Sequence, residues 1–205
     1  MNYLAHIFLA QPTVESVCGN LMGDFMKGVD INKLPLPIVR GIQNHRLVDR
    51  FTDAHPSVKA LKKVLSQERR RFSGVISDII FDHLLIQHWS DYSDMDVETF
   101  IEQAYQRISS GRHYMNPRMD WALELMIKEN WLQSYARLDG VEAIIQRISK
   151  RIRFENCLSG AMDEVEAQMD HYSDAFQRLF PELVQHISNE HIEMETAVVS
   201  YDLTK

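Results

Sequence analysis

Val75-Ile76-Ser77-Asp78-Ile79-Ile80-Phe81-Asp82-His83-Leu84-Leu85-Ile86-Gln87-His88-Trp89 is apolar nearly all round when wound as a helix. A helix without a polar face belongs in a protein interior, so the segment predicts a central helix that others must cover. Yet it carries Asp78, Asp82 and His83. An unpartnered buried carboxylate costs several kcal/mol or takes up a proton. These residues therefore read as parts of a site rather than as a structural ion pair. Adjacent Asp82 and His83 project about 100° apart on a helix, and a cation lying between them can take both. His88 and Trp89 read as packing.

Working outward, the preceding helix is expected over 58–72, with Ser57 as its N-cap and Ser73-Gly74 as its end. Val58, Leu61, Val64, Leu65 and Phe72 form its apolar face, and Lys59, Lys62, Lys63, Arg69, Arg70 and Arg71 form a basic one. Before it, Ile38–Asp53 reads as a helix ended by Ala54-His55-Pro56. His45, Asp49 and Asp53 recur every four residues there. They drift only about 40° per step and so line one face. An imidazole and two carboxylates on one face can bind a divalent cation or run acid–base chemistry. The plain alternative is a solvated face with surface ion pairs, since Arg46 and Arg50 stand beside it.

Further back, 13–28 reads as a helix with Val14, Val17, Cys18, Leu21, Met22 and Phe25 at helical spacing and Gly28 as C-cap. Gly19 and Gly23 allow another helix to approach closely. Asp24, beside Phe25, needs a partner in such a setting, and a metal or an arginine would serve. Residues 29–37 read as a loop. Residues 2–10 read as a short buried helix in which His6 is either a core histidine with one hydrogen bond or a ligand.

On the C-terminal side, Asp96 is expected to cap a helix over 97–110 that Gly111 closes. A helix over 119–137 is expected to pack Trp121, Leu125, Trp131 and Tyr135. Asp139 is expected to cap one over 140–152. A last long helix carries Met162, Val165, Met169, Tyr172, Phe176 and Leu179, with Pro181 kinking or restarting it into a terminal helix over 182–194. Residues 195–205 read as a frayed tail. No stretch alternates with period two. The expectation is all-α: a single compact multi-helix domain over 1–194, with about eight to ten helices.

Among 205 residues there are only 8 Gly and 6 Pro, which suits a helical chain, and the net charge is −7. That balance argues against a general nucleic-acid binder, which would normally be basic. No run approaches the length of a membrane span. No basic stretch precedes an apolar one at the start, so no signal peptide is expected. Cys18 and Cys157 lack metal-finger spacing and read as reduced thiols of a cytoplasmic protein. There is no Gly-rich phosphate loop and no nucleophile elbow.

Four helices thus each bring a metal-type ligand: His6, Asp24, His45 with Asp49, and Asp82 with His83. Mixed His and carboxylate donors suit Mn²⁺, Mg²⁺ or Fe²⁺ rather than a structural zinc. Facing helices of a bundle are a known way to build such a centre. Asp24, His45, Asp49, Asp82 and His83 are the candidates for catalysis. Arg46 and Arg50, one turn apart, can hold phosphate oxygens bidentately. Arg69, Arg70 and Arg71 are the densest part of the basic face and the candidate contact for an acidic partner.

At Met1-Asn2-Tyr3-Leu4-Ala5-His6, Gly19-Asn20-Leu21-Met22-Gly23-Asp24-Phe25, His45-Arg46 with Asp49 and Thr52-Asp53, and Asp82-His83 with His88-Trp89, the sequence resembles the acyl carrier protein phosphodiesterase family. The resemblance implies a fold related to the HD-domain phosphohydrolases and a metal-dependent reaction, with Mn²⁺ foremost. The substrate would be holo-acyl carrier protein, whose 4′-phosphopantetheine–serine phosphodiester is hydrolysed to leave apo-acyl carrier protein. This chain reads Asp-His at 82–83 where the HD pattern reads His-Asp, so ligands do not transfer by analogy. Two other readings stay open: an HD-type nucleotide phosphohydrolase, and a non-catalytic helical binding module whose charges are structural. Metal analysis separates the last from both enzymes. Activity on holo-carrier protein against a nucleotide panel separates the first two.

Overall fold

The computed structural model describes residues 1–194, and the expected frayed tail 195–205 lies outside them. Among the described residues eleven α-helices follow one another: α1 Tyr3–Phe8, α2 Val14–Met22, α3 Leu36–Ala54, α4 Pro56–Leu61, α5 Ser73–Gln87, α6 Val97–Ser110, α7 Pro117–Lys128, α8 Trp131–Ser134, α9 Leu138–Arg151, α10 Ala161–Ala167 and α11 Met169–Glu190. No strand occurs among the described residues, as the absence of period-two patterning predicts.

The apolar segment forms α5 and runs through the core, burying Ile76, Ile79, Ile80, Phe81, Leu84 and Leu85. α1, α4, α9 and α11 pack around it. The most intimate helix pair is α2 with α3. A Cβ on Gly19 would lie 2.4 Å from the Ile38 carbonyl oxygen, and one on Gly41 would lie 2.8 Å from that of Ser16. Only glycines allow this approach, which sets the end of α2 beside the middle of α3.

Several boundaries differ from the sequence expectation. The basic helix stops at Leu61, because the chain then turns to carry its arginines onto the 155–164 segment. Its N-cap is His55, whose Nδ1 accepts the Ser57 N–H at 3.3 Å, not Ser57. Gly28 does take a positive φ of 81°, but α2 has ended at Met22 and a 3-10 turn, Gly23–Phe25, follows it. The helix expected over 119–137 divides at Asn130, which adopts a left-handed φ of 50°. Trp121 is 62% exposed rather than packed. Asp139 lies in the first turn of α9 and pairs with Arg137 instead of capping. The methionine stripe breaks at Gln168 into α10 and α11. Pro181, in contrast, interrupts nothing. Apolar burial on both sides of it, at Phe176, Leu179, Phe180 and Leu183, holds α11 together against a proline penalty of about 3 kcal/mol.

Candidate metal centre

α1, α2 and α3 together position the site. α1 is only six residues long, too short to be stable by itself. Asp82 of α5 holds its first turn: the Leu4 and Ala5 backbone N–H groups donate to the two Asp82 oxygens at 2.7 and 3.1 Å. These are among the donors a helix start leaves unpaired. The anchored α1 then carries His6 onto α3. His6 Nε2 lies 3.2 Å from Asp49 Oδ1, and His45 Nε2 lies 3.1 Å from Asp49 Oδ2. The two imidazoles stack with centroids 4.0 Å apart and planes 20° from parallel. One ligand-capable atom from each of His6, His45 and Asp49 falls within 4.8 Å of the others.

Asp24 completes the group from the turn after α2, with Oδ1 3.8 Å from His45 Nε2 and its side chain 49% exposed. Gly23 makes room for this. A Cβ there would lie 2.1 Å from His45 Cδ2, so the ring rests directly on the backbone. Asp78, which the sequence reading noted on the apolar helix but did not name as a ligand or catalytic residue, also reaches the group. It accepts from the Met1 ammonium at 2.8 Å, and that ammonium also stands 3.7 Å from Asp49. The signal was available, since Asp78 precedes Asp82 by one turn on the same apolar helix. Asp53 is exposed, and the charges of Asp78 and Asp49 act on it.

Burial pushes the pKa of His6 down to about 4, so at neutral pH its ring is uncharged with a lone pair to offer. Burial opposes ionisation of Asp49, but the adjoining His45 and His6 rings and the Met1 ammonium outweigh it and hold that carboxyl well below the usual range. Asp24 is shifted upward, by burial first and then by Asp49 and Asp78. Both ring nitrogens of His6 and Nδ1 of His45 are buried without an aligned hydrogen-bond partner. His6 Nε2 is near Asp49 in distance but off line for an N–H···O bond. Buried polar atoms are nearly always satisfied, and orphans of this kind are explained by a missing water or ion. The His6 and His45 rings and the Asp49 carboxylate, with a second carboxylate beside them, could hold a metal ion through mixed nitrogen and oxygen donors.

Asp82 and His83 are not brought into this group. Both Asp82 oxygens are taken by the start of α1, and burial, opposed by those two N–H bonds, moves its pKa up to about 7. His83 Nδ1 lies 2.7 Å from the Tyr135 carbonyl oxygen on the far side of α5. The sequence reading placed both among the ligands because their partners come from distant parts of the chain. Arg46 and Arg50 are exposed on α3 and, among the described residues, form no ion pair. Arg69, Arg70 and Arg71 are tied into the fold. Arg69 pairs with Glu164 and donates to the Cys157 carbonyl, Arg70 donates to the Leu65 carbonyl, and Arg71 donates to the Glu155 carbonyl and covers the Phe72 ring at 4.7 Å. Lys59, Lys62 and Lys63 remain exposed on or just after α4.

A family model described as acyl carrier protein phosphodiesterase matches residues 1–183. Among curated proteins named acyl carrier protein phosphodiesterase, that of Pectobacterium atrosepticum is 33% identical over 90% of this chain and 96% of its own length. That of Serratia proteamaculans is 31% identical over the same shares. That of an Enterobacter species is 28% identical over 94% of this chain and 100% of its own. No solved structure matches the chain significantly.

Proposed function

Because this chain belongs to the acyl carrier protein phosphodiesterase family, we propose that it hydrolyses the phosphodiester between 4′-phosphopantetheine and a serine of holo-acyl carrier protein. Water adds to phosphorus and the bond to the serine oxygen breaks. The products are apo-carrier protein and 4′-phosphopantetheine. The observation that carries the metal-dependent part of this reading is the pair of buried imidazoles, three of whose ring nitrogens lack an aligned partner, meeting at Asp49.

On this reading His6, His45 and Asp49 hold a divalent cation, with Mn²⁺ preferred and Mg²⁺ or Fe²⁺ as substitutes. Such an ion supplies Lewis acidity toward a phosphoryl oxygen and acidifies water. Asp24, half exposed and with its proton affinity raised, accepts the proton of the attacking water. Arg46 and Arg50 present planar forks to the phosphate oxygens from the solvent side of α3. Asp82 acts at one remove, by holding α1 and hence His6. His83 fastens α5 to the turn after α8. The use of facing helices to present His and Asp supports the relation to HD-domain phosphohydrolases.

The proposed partner is acidic, and this chain carries −7 overall. Productive approach therefore needs a local basic surface. Lys59, Lys62 and Lys63 supply it together with Arg70 and Arg71, whose partners are neutral carbonyls, whereas Arg69 is paired with Glu164. No helix among the described residues is long and apolar enough to cross a membrane. The test is to strip the protein with a chelator, restore Mn²⁺, and follow holo-carrier protein by intact mass. Conversion to apo-carrier protein only with metal is the expected result. Cleavage of nucleotides with none of the carrier protein would overturn the substrate, and full activity after stripping would overturn the metal.

A further inference from the structure

Glu193 lies past residue 183, where the family match ends. α11 stops at Glu190, His191 takes a left-handed φ of 49°, and the chain turns back onto α2. There the Glu193 carboxylate enters a cradle of three donors. Oε1 accepts from Ser16 Oγ at 2.8 Å and from Asn20 Nδ2 at 2.9 Å, and Oε2 accepts the Gln11 backbone N–H at 3.1 Å. Ser16 and Asn20 are buried. Arg40 lines the cavity of about 690 Å³ onto which the cradle opens.

The hydrogen bonds continue inward. Asn20 Oδ1 accepts from Asn44 Nδ2 at 3.0 Å, and Asn44 Nδ2 also donates to the Leu9 carbonyl at 3.2 Å. The end of α1, the body of α2 and the middle of α3 therefore meet at one polar node. Those are the helices that carry His6, lead into Asp24, and hold His45 next to Asn44. Without Glu193, Asn20 Nδ2 keeps the Ser16 carbonyl at 3.0 Å and the Gln11 N–H keeps Ser16 Oγ at 2.8 Å, but the Ser16 hydroxyl loses its one acceptor among the described residues.

We propose that Gln11, Ser16 and Asn20 form a carboxylate-binding site, that Glu193 fills it from within the chain, and that its occupation sets how tightly the His6–His45–Asp49 centre holds its cation. Glu193 is a positioning residue, and it touches none of the three ligands. The second half of this inference rests on the metal centre proposed above, while the first half stands without it.

The experiment compares wild-type protein with Glu193→Ala and Glu193→Gln. Mn²⁺ affinity is read by titration calorimetry and hydrogen exchange at the Gln11 amide by mass spectrometry. In Glu193→Ala the affinity should fall about tenfold, the lower end of what partners outside the ligand shell contribute. Acetate, but not chloride, should restore it and slow Gln11 exchange again. Glu193→Gln keeps the acceptor for Ser16 and Asn20, so it should fall less and respond little to acetate. It also covers the case in which the alanine variant does not fold. Wild-type affinity in both variants overturns the coupling, whatever happens to melting temperature. Gln11 exchange that ignores acetate overturns the carboxylate site. A wild-type protein that binds no Mn²⁺ overturns the metal centre and the coupling, and leaves the acetate response to decide the cradle.

Discussion

Two carboxylate–imidazole pairs lie on buried stretches of helix, and they have opposite fates. Asp82 and His83 on α5 are matched by backbone groups: two N–H donors for the carboxylate and a carbonyl for the ring. His45 and Asp49 on α3 meet only side chains and the Met1 ammonium, and His6 joins them with both nitrogens unaligned. Burial alone does not separate a site from a structural pair. What separates them is whether the backbone has already answered the polar groups. In the first pair both Asp82 oxygens and His83 Nδ1 have backbone partners, whereas in the second both His6 nitrogens and His45 Nδ1 have none.

The difference can be broken or sharpened at several points. The largest effect belongs to Asp49→Ala, which should lower kcat/KM on holo-carrier protein by roughly 10²–10³, the scale of removing one key electrostatic group. Metal content should fall with it while circular dichroism stays native. Retained metal and activity would erase the distinction between the pairs. Next is Asp82→Ala, which strands two buried N–H groups and should cost about 2–4 kcal/mol in urea unfolding. A variant of unchanged stability that had lost its metal would return Asp82 to the centre.

Gly23→Ala should come third. Its methyl would meet His45 at 2.1 Å and displace the ring, lowering Mn²⁺ affinity about tenfold with no change of charge. The control is Gly74→Ala on α5, where a Cβ meets nothing within 4 Å. That substitution should stabilise the protein by about 0.5–1 kcal/mol in the same unfolding assay.

The smallest net effect is on stability against pH, because the two regions tilt it in opposite directions. His6 is depressed to about 4, below its unfolded value near 6.5. Its contribution is present above about pH 6.5 and is lost as pH falls toward 4, since only the unfolded ring then binds a proton. Asp82 is raised to about 7, above its unfolded value near 3.9. Its contribution is present below about pH 4 and is lost as pH rises through 7. Each acts with a slope of at most about 1.4 kcal/mol per pH unit. Metal-free wild type should therefore be nearly flat between pH 4.5 and 6.5, roughly the overlap of the two windows. His6→Asn should leave a fall with rising pH and Asp82→Asn a rise. Identical slopes in the two variants would show that the pairs do not differ in the way described.

Much of this was legible beforehand, for reasons that particular residues make plain. The fold class follows from helical spacing and from one segment too apolar to sit anywhere but inside. The His45–Asp49 face follows from a spacing of four, and His6 and Asp24 from polar side chains amid apolar ones. What the one-dimensional pattern could not carry was the identity of partners far along the chain. Asp82 reads only as a ligand candidate, and its bonds from Leu4 and Ala5, 78 and 77 residues away, appear only in the fold. Arg69 reads as free surface until Glu164 and the Cys157 carbonyl are in place, whereas Arg70 and Arg71 stay exposed. Asp78 was visible on α5, but its proximity to Asp49 depends on where α1 and α3 pack.

The anchoring of α1 by Asp82 also has a bearing on when the centre comes into being. A six-residue helix does not hold itself together, so His6 has no fixed direction until α5 has been made and folded. At translation rates of about 5–20 residues per second, the first turn waits on the order of ten seconds for its acceptor to be synthesised. During that interval the emerging polypeptide presents His45 and Asp49 without their third member. On the proposed reading of the centre, a cation met before α5 has folded would find only a two-point grip, and loading would be deferred to the finished molecule.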